Sequence, residues 1–473
     1  MVQLQVFFFP IMAHGHMIPI LDMAKLFASR GVHSTIITTP LNAPAFAKGV
    51  QKSNDSGFQM SIKILKFPKV DGLPEDCENI DQIPSPAMLP LFLAATWMLK
   101  EQLEQLLQEC HPNCLVADLF FPWATDSAAR FNIPRLIFYG SSFFASCAEE
   151  QVRLHRPFKN LTNASDEFFV PNLPHKVKLF SSQIPPFLRE ERETEFAKML
   201  TEAFESESRS YGTIVNSFYE LEPNYADYYR NVLNRRAWHI GPLSLCNRSF
   251  EEKVQRGKQA AITEDECLTW LNSKSPNSVV YICFGSVGKF PSKQLHEIAM
   301  GLEASEQQFI WVVMKGTDDN EPEDWMPEEF EERMIGKGLI IRGWAPQVLI
   351  LDHKAIGGFV THCGWNSTLE GIAAGVPMVT WPLGAEQFYN EKLITDVLHI
   401  GVPVGAKEWG VMVGGGNIKR DAVETAVRGI LVGEEAEDRR NRCKGLKEMA
   451  KKAIEQGGSS YSDLNALIQE LSL

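Results

Sequence analysis

A pattern that runs twice along this chain constrains its fold more than anything else. Short apolar, β-branched runs alternate with segments of helical spacing. Val6–Phe9 reads as a buried strand, and Ile20–Ser29 as a helix with apolar residues at Ile20, Leu21, Ala24, Phe27 and Ala28 that stops at Gly31. Ser34–Thr38, Met60–Phe67, an amphipathic helix around Leu89–Cys110, Cys114–Ala117 and Leu136–Tyr139 continue the series. The polar stretch Asn247–Thr263 breaks it. It restarts with strands at Val279–Phe284, Phe309–Val313, Leu339–Ile341, Phe359–Thr361 and Met378–Thr380, and closes with helices near Arg420–Leu431, Asp438–Gln456 and Ser462–Leu471. Strands alternating with helices form parallel sheets covered on both faces. At 473 residues the chain exceeds what one core ordinarily serves. The expectation is α/β: two doubly wound, Rossmann-like domains facing across a crevice. They span residues 1–245 and 264–455, joined by a linker at 246–263 and followed by a helix at 456–473 that packs back on the first domain. Ligands of such sheets bind outside the carboxyl ends of the strands.

Composition narrows the partners. The formal charge of −13, from 46 basic and 59 acidic residues, lacks the basic footprint that holds a phosphate backbone, so nucleic acid is not expected. Nine scattered cysteines suggest reduced thiols and a cytoplasmic setting; Cys110 and Cys114 have no companion His or Cys cluster to make a zinc site. The N-terminus has no basic n-region or cleavage site of a signal peptide. No apolar run reaches the roughly 20 residues that span a bilayer, so no membrane anchor is expected. The Asn-x-Ser/Thr triplets at Asn160, Asn163, Asn247 and Asn366 are read as chance matches.

The densest chemistry lies between Trp344 and Gln387. Within it, Thr361-His-Cys-Gly-Trp-Asn-Ser-Thr-Leu-Glu370 reads as a strand end, a glycine-containing turn and a helix start near Asn366 or Ser367. That places backbone N–H groups and the positive end of a helix dipole at a strand's carboxyl edge, a geometry that binds phosphate. Asn366 and Ser367 are good N-cap types. His362 is placed to donate to a diphosphate, and Glu370 to accept from a ribose. At the other end of the chain, His16 follows Gly15 just after the first strand, and Asp118 follows the strand Cys114–Ala117. A histidine suits proton abstraction near neutral pH, and a carboxylate can orient it and stabilise its imidazolium. His14 competes for the same role.

The 44 residues from 344 to 387 resemble the plant secondary product glycosyltransferase signature, and Pro10–Pro19 and the C-terminal helices also look like plant family 1 UDP-glycosyltransferases of the scopoletin and flavonoid type. The likeness covers essentially the whole chain. It implies the GT-B architecture, with an acceptor-binding N-terminal and a UDP-sugar-binding C-terminal domain. Trp344 would stack on uracil, Ala345 would contact the base through its backbone, and Gln347 and Glu370 would reach the ribose. Ser286, His362, Gly364, Asn366 and Ser367 would hold the diphosphate, the helix end and His362 taking up its charge. Trp365, Glu386 and Gln387 would hold the sugar; Gln387 in the last position resembles the glucose-using members. The likeness assigns the base to His16, with Asp118 as partner. The reaction implied is inverting transfer of glucose from UDP-glucose to a hydroxyl of a small apolar acceptor, a flavonoid, coumarin or other phenolic, giving a β-O-glucoside. UDP-sugar is a co-substrate and there is no cofactor. With no Asp-x-Asp in the chain, no metal is expected. A monomer is expected.

Phe120, Phe121, Phe143 and Phe144 are candidates for the acceptor wall. Gly414–Gly416 reads as a flexible loop and Asp318–Glu332 as a solvated acidic face. Three other readings stand beside the transferase of phenolics: a triterpenoid or steroid glucosyltransferase, a non-catalytic binder of apolar molecules, and a UDP-sugar epimerase.

Overall fold

The computed structural model describes residues 3–189, 194–286, 288–314, 325–410 and 418–473. Gly414–Gly416 and the first part of the acidic stretch, 318–324, lie outside the described residues. The chain forms two compact units: Met1–Phe143 with Glu191–Asn247 and Lys452–Leu473, and Phe144–Glu190 with Arg248–Lys451. Residues 144–190, assigned to the first domain from the sequence, group by contacts with the second unit.

The first unit holds a seven-stranded parallel sheet built from β1 (Gln5–Phe9), β2 (His33–Thr38), β3 (Met60–Ile64), β4 (Cys114–Asp118), β5 (Arg135–Phe138), β6 (Gly212–Val215) and β7 (Ala237–His239), in the order β3-β2-β1-β4-β5-β6-β7. The strand order reverses between β1 and β4, and that is where both histidine-bearing and carboxylate-bearing strand ends fall. Its central strands β1 and β4 are buried on both faces, which explains their continuous apolar runs. One core joins Val6, Phe8, Ile36, Val116, Leu136 and Ile214 of the sheet to Ile20, Ala24 and Phe27 of the helix His14–Ala28. Leu464, Leu467 and Leu471 of the last helix, Ser459–Leu471, belong to the same core.

The second unit holds a six-stranded parallel sheet of β8 (Val279–Cys283), β9 (Gln308–Val313), β10 (Gly338–Arg342), β11 (Ile356–Thr361), β12 (Met378–Thr380) and β13 (Gly401–Pro403), ordered β10-β9-β8-β11-β12-β13. Its reversal lies between β8 and β11. A two-stranded antiparallel ribbon, Glu167–Phe169 with Lys178–Phe180, is separate.

Two helices differ from expectation. The first begins at His14 rather than Ile20, and carries Pro19 in its interior. The apolar spacing that marks this helix in the sequence begins only at Ile20, one residue after that proline. The amphipathic stretch 89–110 is two helices, Leu89–Trp97 and Lys100–Cys110. Between them the Met98 and Leu99 N–H groups bond three residues back, to Ala95 and Thr96, tightening the turn and ending the first helix.

Candidate active site

In the first unit, β1 leads through a short turn into the helix His14–Ala28, which places His16 in the helix's first turn. β4 lies beside β1 in parallel register and ends at Asp118. The two side chains meet at the strand-order reversal: His16 Nδ1 lies 2.7 Å from Asp118 Oδ2. Asp118 is fully buried, while 24% of the His16 side chain is exposed. The other carboxylate oxygen of Asp118 accepts from the Phe120 N–H at 3.2 Å. A carboxylate held on both oxygens fixes the histidine's tautomer, with the proton on Nδ1 and the basic lone pair on Nε2. Gly140, with φ of +70°, makes room for the ring; a Cβ there would lie 3.3 Å from His16 Cε1.

Behind the pair lies Arg135, a buried cation that sequence reasoning missed. It donates to the Asp118 carbonyl at 2.7 Å, to Thr125 at 2.5 Å and to Ser206 at 3.3 Å. Burial pushes its pKa down to about 9, which leaves it charged at neutral pH. The competing His14 has a different partner, Asp81, at 3.2 Å. Of the four phenylalanines proposed for an acceptor wall, only Phe120 is partly exposed, with its ring edge-on to His16 at 6.0 Å. The other three are core residues: Phe121 stacks on Phe9 at 4.2 Å, Phe143 packs on Tyr229 and His239, and Phe144 is fully buried.

The second unit builds a different site from the same kind of turn. β11 ends at Thr361, Cys363 adopts a left-handed φ of 62°, and the helix Trp365–Ala374 begins with Gly364 as its N-cap. No side chain caps this end. Asn366 and Ser367 are therefore not the cap but the second and third helical residues, and the first-turn N–H groups face outward. The Trp365 ring is 2% exposed, so it is the backbone of this residue that fronts the helix end.

His362 sits between two glycines. A Cβ on Gly364 would lie 2.4 Å from its Nε2, and one on Gly285, whose φ is +77°, would lie 2.7 Å away. Gly285 follows β8 and is joined by the partly exposed Ser286. Nδ1 of His362 has no hydrogen-bond partner among the described residues. Enclosure pushes its pKa down to about 4. The imidazole is thus neutral at pH 7, which corrects the expectation that it brings charge. With no carboxylate beside it, burial is unopposed, and the neutral ring offers one N–H donor and one acceptor nitrogen.

Glu370, 6% exposed, is engaged on both oxygens. Gln347 donates to Oε2 at 2.8 Å and to Ser367 at 3.1 Å, while accepting from the buried Tyr281 hydroxyl at 3.4 Å. Arg256 pairs with Oε1. Trp344 is partly exposed, and the Ala345 carbonyl accepts from the Gln347 N–H at 2.8 Å in a tight turn through Pro346. At the end of the signature, Gln387 Oε1 accepts from the Leu383 and Gly384 N–H groups at 2.8 and 3.0 Å. Its carbonyl is committed to its own loop, leaving the amide NH₂ for other contacts. Asn390, which the sequence did not single out, ties Glu386 to the Cys363 carbonyl, at 3.2 and 2.9 Å.

Two doubly wound parallel sheets, one with a His–carboxylate pair at its reversal and the other with an uncapped helix end, define a GT-B glycosyltransferase. The chain belongs to the UDP-glucoronosyl and UDP-glucosyl transferase family, whose model matches residues 98–407. It is 58% identical to scopoletin glucosyltransferase of Nicotiana tabacum, over 99% of this chain and 98% of that one. It is 56% identical to anthocyanin 3'-O-beta-glucosyltransferase of Gentiana triflora, again over 99% and 98%. Among solved structures, Glycyrrhiza uralensis UGT73P12 complexed with glycyrrhetinic acid 3-O-monoglucuronide matches with a TM-score of 0.93 and 40% identity, over 100% of this chain and 96% of that one.

Proposed function

We propose that this protein transfers glucose from UDP-glucose to a hydroxyl of a small phenolic acceptor, with inversion, giving a β-O-glucoside. The observation that carries the reading is the 2.7 Å pairing of His16 with the buried Asp118. The family membership supplies the UDP-sugar donor, and the scopoletin and anthocyanin glucosyltransferases support a phenolic acceptor. In this reading the acceptor hydroxyl gives its proton to His16 Nε2 as its oxygen attacks the anomeric carbon. The bond from that carbon to the diphosphate breaks, and UDP leaves from the opposite face. Asp118 stabilises the imidazolium. Phe120 is the wall residue beside the base.

Trp344 would stack on uracil, a contact worth roughly 1–3 kcal/mol. The Ala345 backbone would meet the base edge, and Glu370 with Gln347 the ribose. The first-turn N–H groups of the helix from Trp365, with Gly364, Asn366, Ser367, Ser286 and the neutral His362, would hold the diphosphate and receive the charge that develops on it. Glu386 and the Gln387 amide NH₂ would hold glucose hydroxyls, with Trp365 contributing through its backbone. Glu386 disfavours a uronic acid by repulsion.

The transfer needs no metal in this reading, because the helix end carries the diphosphate charge. Activity in excess EDTA should match activity in magnesium; loss under EDTA, restored by metal, would refute this. We read the protein as a cytoplasmic monomer without a membrane anchor and with no nucleic-acid partner. Nine free cysteines support a reducing compartment. No helix among the described residues is long and apolar enough to cross a membrane. The deciding experiment is a screen of scopoletin, anthocyanidins, flavonols and glycyrrhetinic acid with UDP-glucose, read by mass spectrometry. A phenolic monoglucoside as the main product is expected. Turnover of glycyrrhetinic acid alone would overturn the acceptor class.

A further inference from the structure

The stretch between the two repeats of the fold reads in the sequence as a linker, yet residues 253–261 are built into the wall around Trp344 and Glu370. Lys253 pairs with Asp352 at 2.6 Å, and the Ala261 N–H donates to the Trp344 carbonyl at 2.8 Å, so the segment is held at both ends. Between them, Gly257 has a φ of +100° and runs so close to the indole that a Cβ would lie 2.3 Å from Trp344 Cζ2 and 3.1 Å from Nε1. It therefore flanks the edge of the ring that carries the N–H. Beside it, the Arg256 side chain, 9% exposed, forms an ion pair with the 6% exposed Glu370.

A carboxylate this enclosed is costly unless it is both paired and hydrogen-bonded. Arg256 and Gln347 together satisfy that need, one on each oxygen. A carboxylate oxygen still has a second lone-pair direction, so an oxygen that accepts from Arg256 can also accept from a ribose hydroxyl. A guanidinium on one oxygen and an amide on the other fix the carboxylate plane, which a free carboxylate would have to adopt at an entropic cost on binding.

We propose that Arg256 is a positioning residue of the nucleotide subsite: it holds the Glu370 carboxylate in the plane from which it accepts the ribose hydroxyls, and Gly257 is the residue that lets the segment close on Trp344. The proposal rests on the reading of Glu370 as the ribose contact. Its test uses calorimetric titration of the full chain with UDP and with 2′,3′-dideoxy-UDP, which lacks the hydroxyls concerned. Arg256→Met should weaken UDP about tenfold, the loss of one charge-assisted contact, and leave the dideoxy analogue within about twofold. Arg256→Lys, which keeps the charge but loses the planar guanidinium, should fall between. It also carries the same ratio test if Arg256→Met does not fold. Equal losses for both nucleotides would make Arg256 merely structural and overturn the proposal. Tighter UDP binding would overturn it too, by showing that the segment obstructs the subsite. Glu370→Gln separates the two levels: if it leaves the UDP to dideoxy-UDP ratio unchanged, the ribose reading itself has failed.

Discussion

The turn from β1 into the helix His14–Ala28 and the turn from β11 into the helix Trp365–Ala374 are built alike. Each leaves a buried parallel strand at its sheet's reversal, enters a helix whose N-cap, Ala13 or Gly364, makes no side-chain cap, and carries a histidine. What differs is the neighbour. His16 faces a buried carboxylate, whereas His362 faces two glycine backbones and no acid. The first environment can accept a proton onto the ring; the second drives the ring neutral and leaves the helix end to meet negative charge. A histidine's task is set by what the adjacent strand brings to it, not by its place in the turn.

Removing the base should break the contrast most severely. His16→Ala is expected to lower kcat/KM by about 10²–10⁴-fold while UDP affinity stays within about twofold. Steady-state kinetics with calorimetry checks this; loss of UDP affinity instead would move His16 into the nucleotide site. Next comes the space around the other histidine. Gly364→Ala puts a methyl 2.4 Å from His362 Nε2, so the ring or the turn must shift. The KM for UDP-glucose should rise about tenfold, a loss of one or two hydrogen bonds, with little change in kcat.

Acid sharpens the comparison. The folded pKa of His362, about 4, lies below its unfolded value of about 6.5. The unfolded chain therefore binds the proton first, and stability present above pH 6.5 is lost as pH falls toward 4. At pH 4 this amounts to no more than about 3 kcal/mol. His362→Gln should lose less stability than the parent over that window in chemical denaturation; identical losses would mean that the ring is not neutral. The smallest effect is expected at His14, whose carboxylate partner is Asp81 rather than Asp118. His14→Ala should retain turnover within about threefold, and a loss matching that of His16→Ala would reverse the assignment of the base.

Long apolar strands were legible before the structure because burial on both faces leaves an uninterrupted run, as in β1, β4 and β11. β6, β7 and β13 were not, since three or four residues such as Ala237–His239 carry no period, and it is packing against the last helix that holds β7. The helix start at His14 went unread because the regular apolar spacing begins only at Ile20. Likewise the signature announced its own residues, because a strand end, a turn and a helix start are local, but not which of them would be engaged by neighbours. Phe120 and Phe121 are equivalent in sequence, and only the turn after Asp118, closed by the Phe121 N–H on the Asp118 carbonyl, decided that one lies beside His16 and the other against Phe9.

Local chemistry alone determined that this chain builds parallel sheets twice, and that it places histidines and glycines at their carboxyl ends. Tertiary structure decided the partners. Asp118 reaches His16 across 102 residues, Arg256 reaches Glu370 across 114, and Arg135 comes to rest behind Asp118 through the pairing of β4 with β5. Ionisation and orientation depend on charge and burial within a few ångströms, and sequence separation carries no information about that distance.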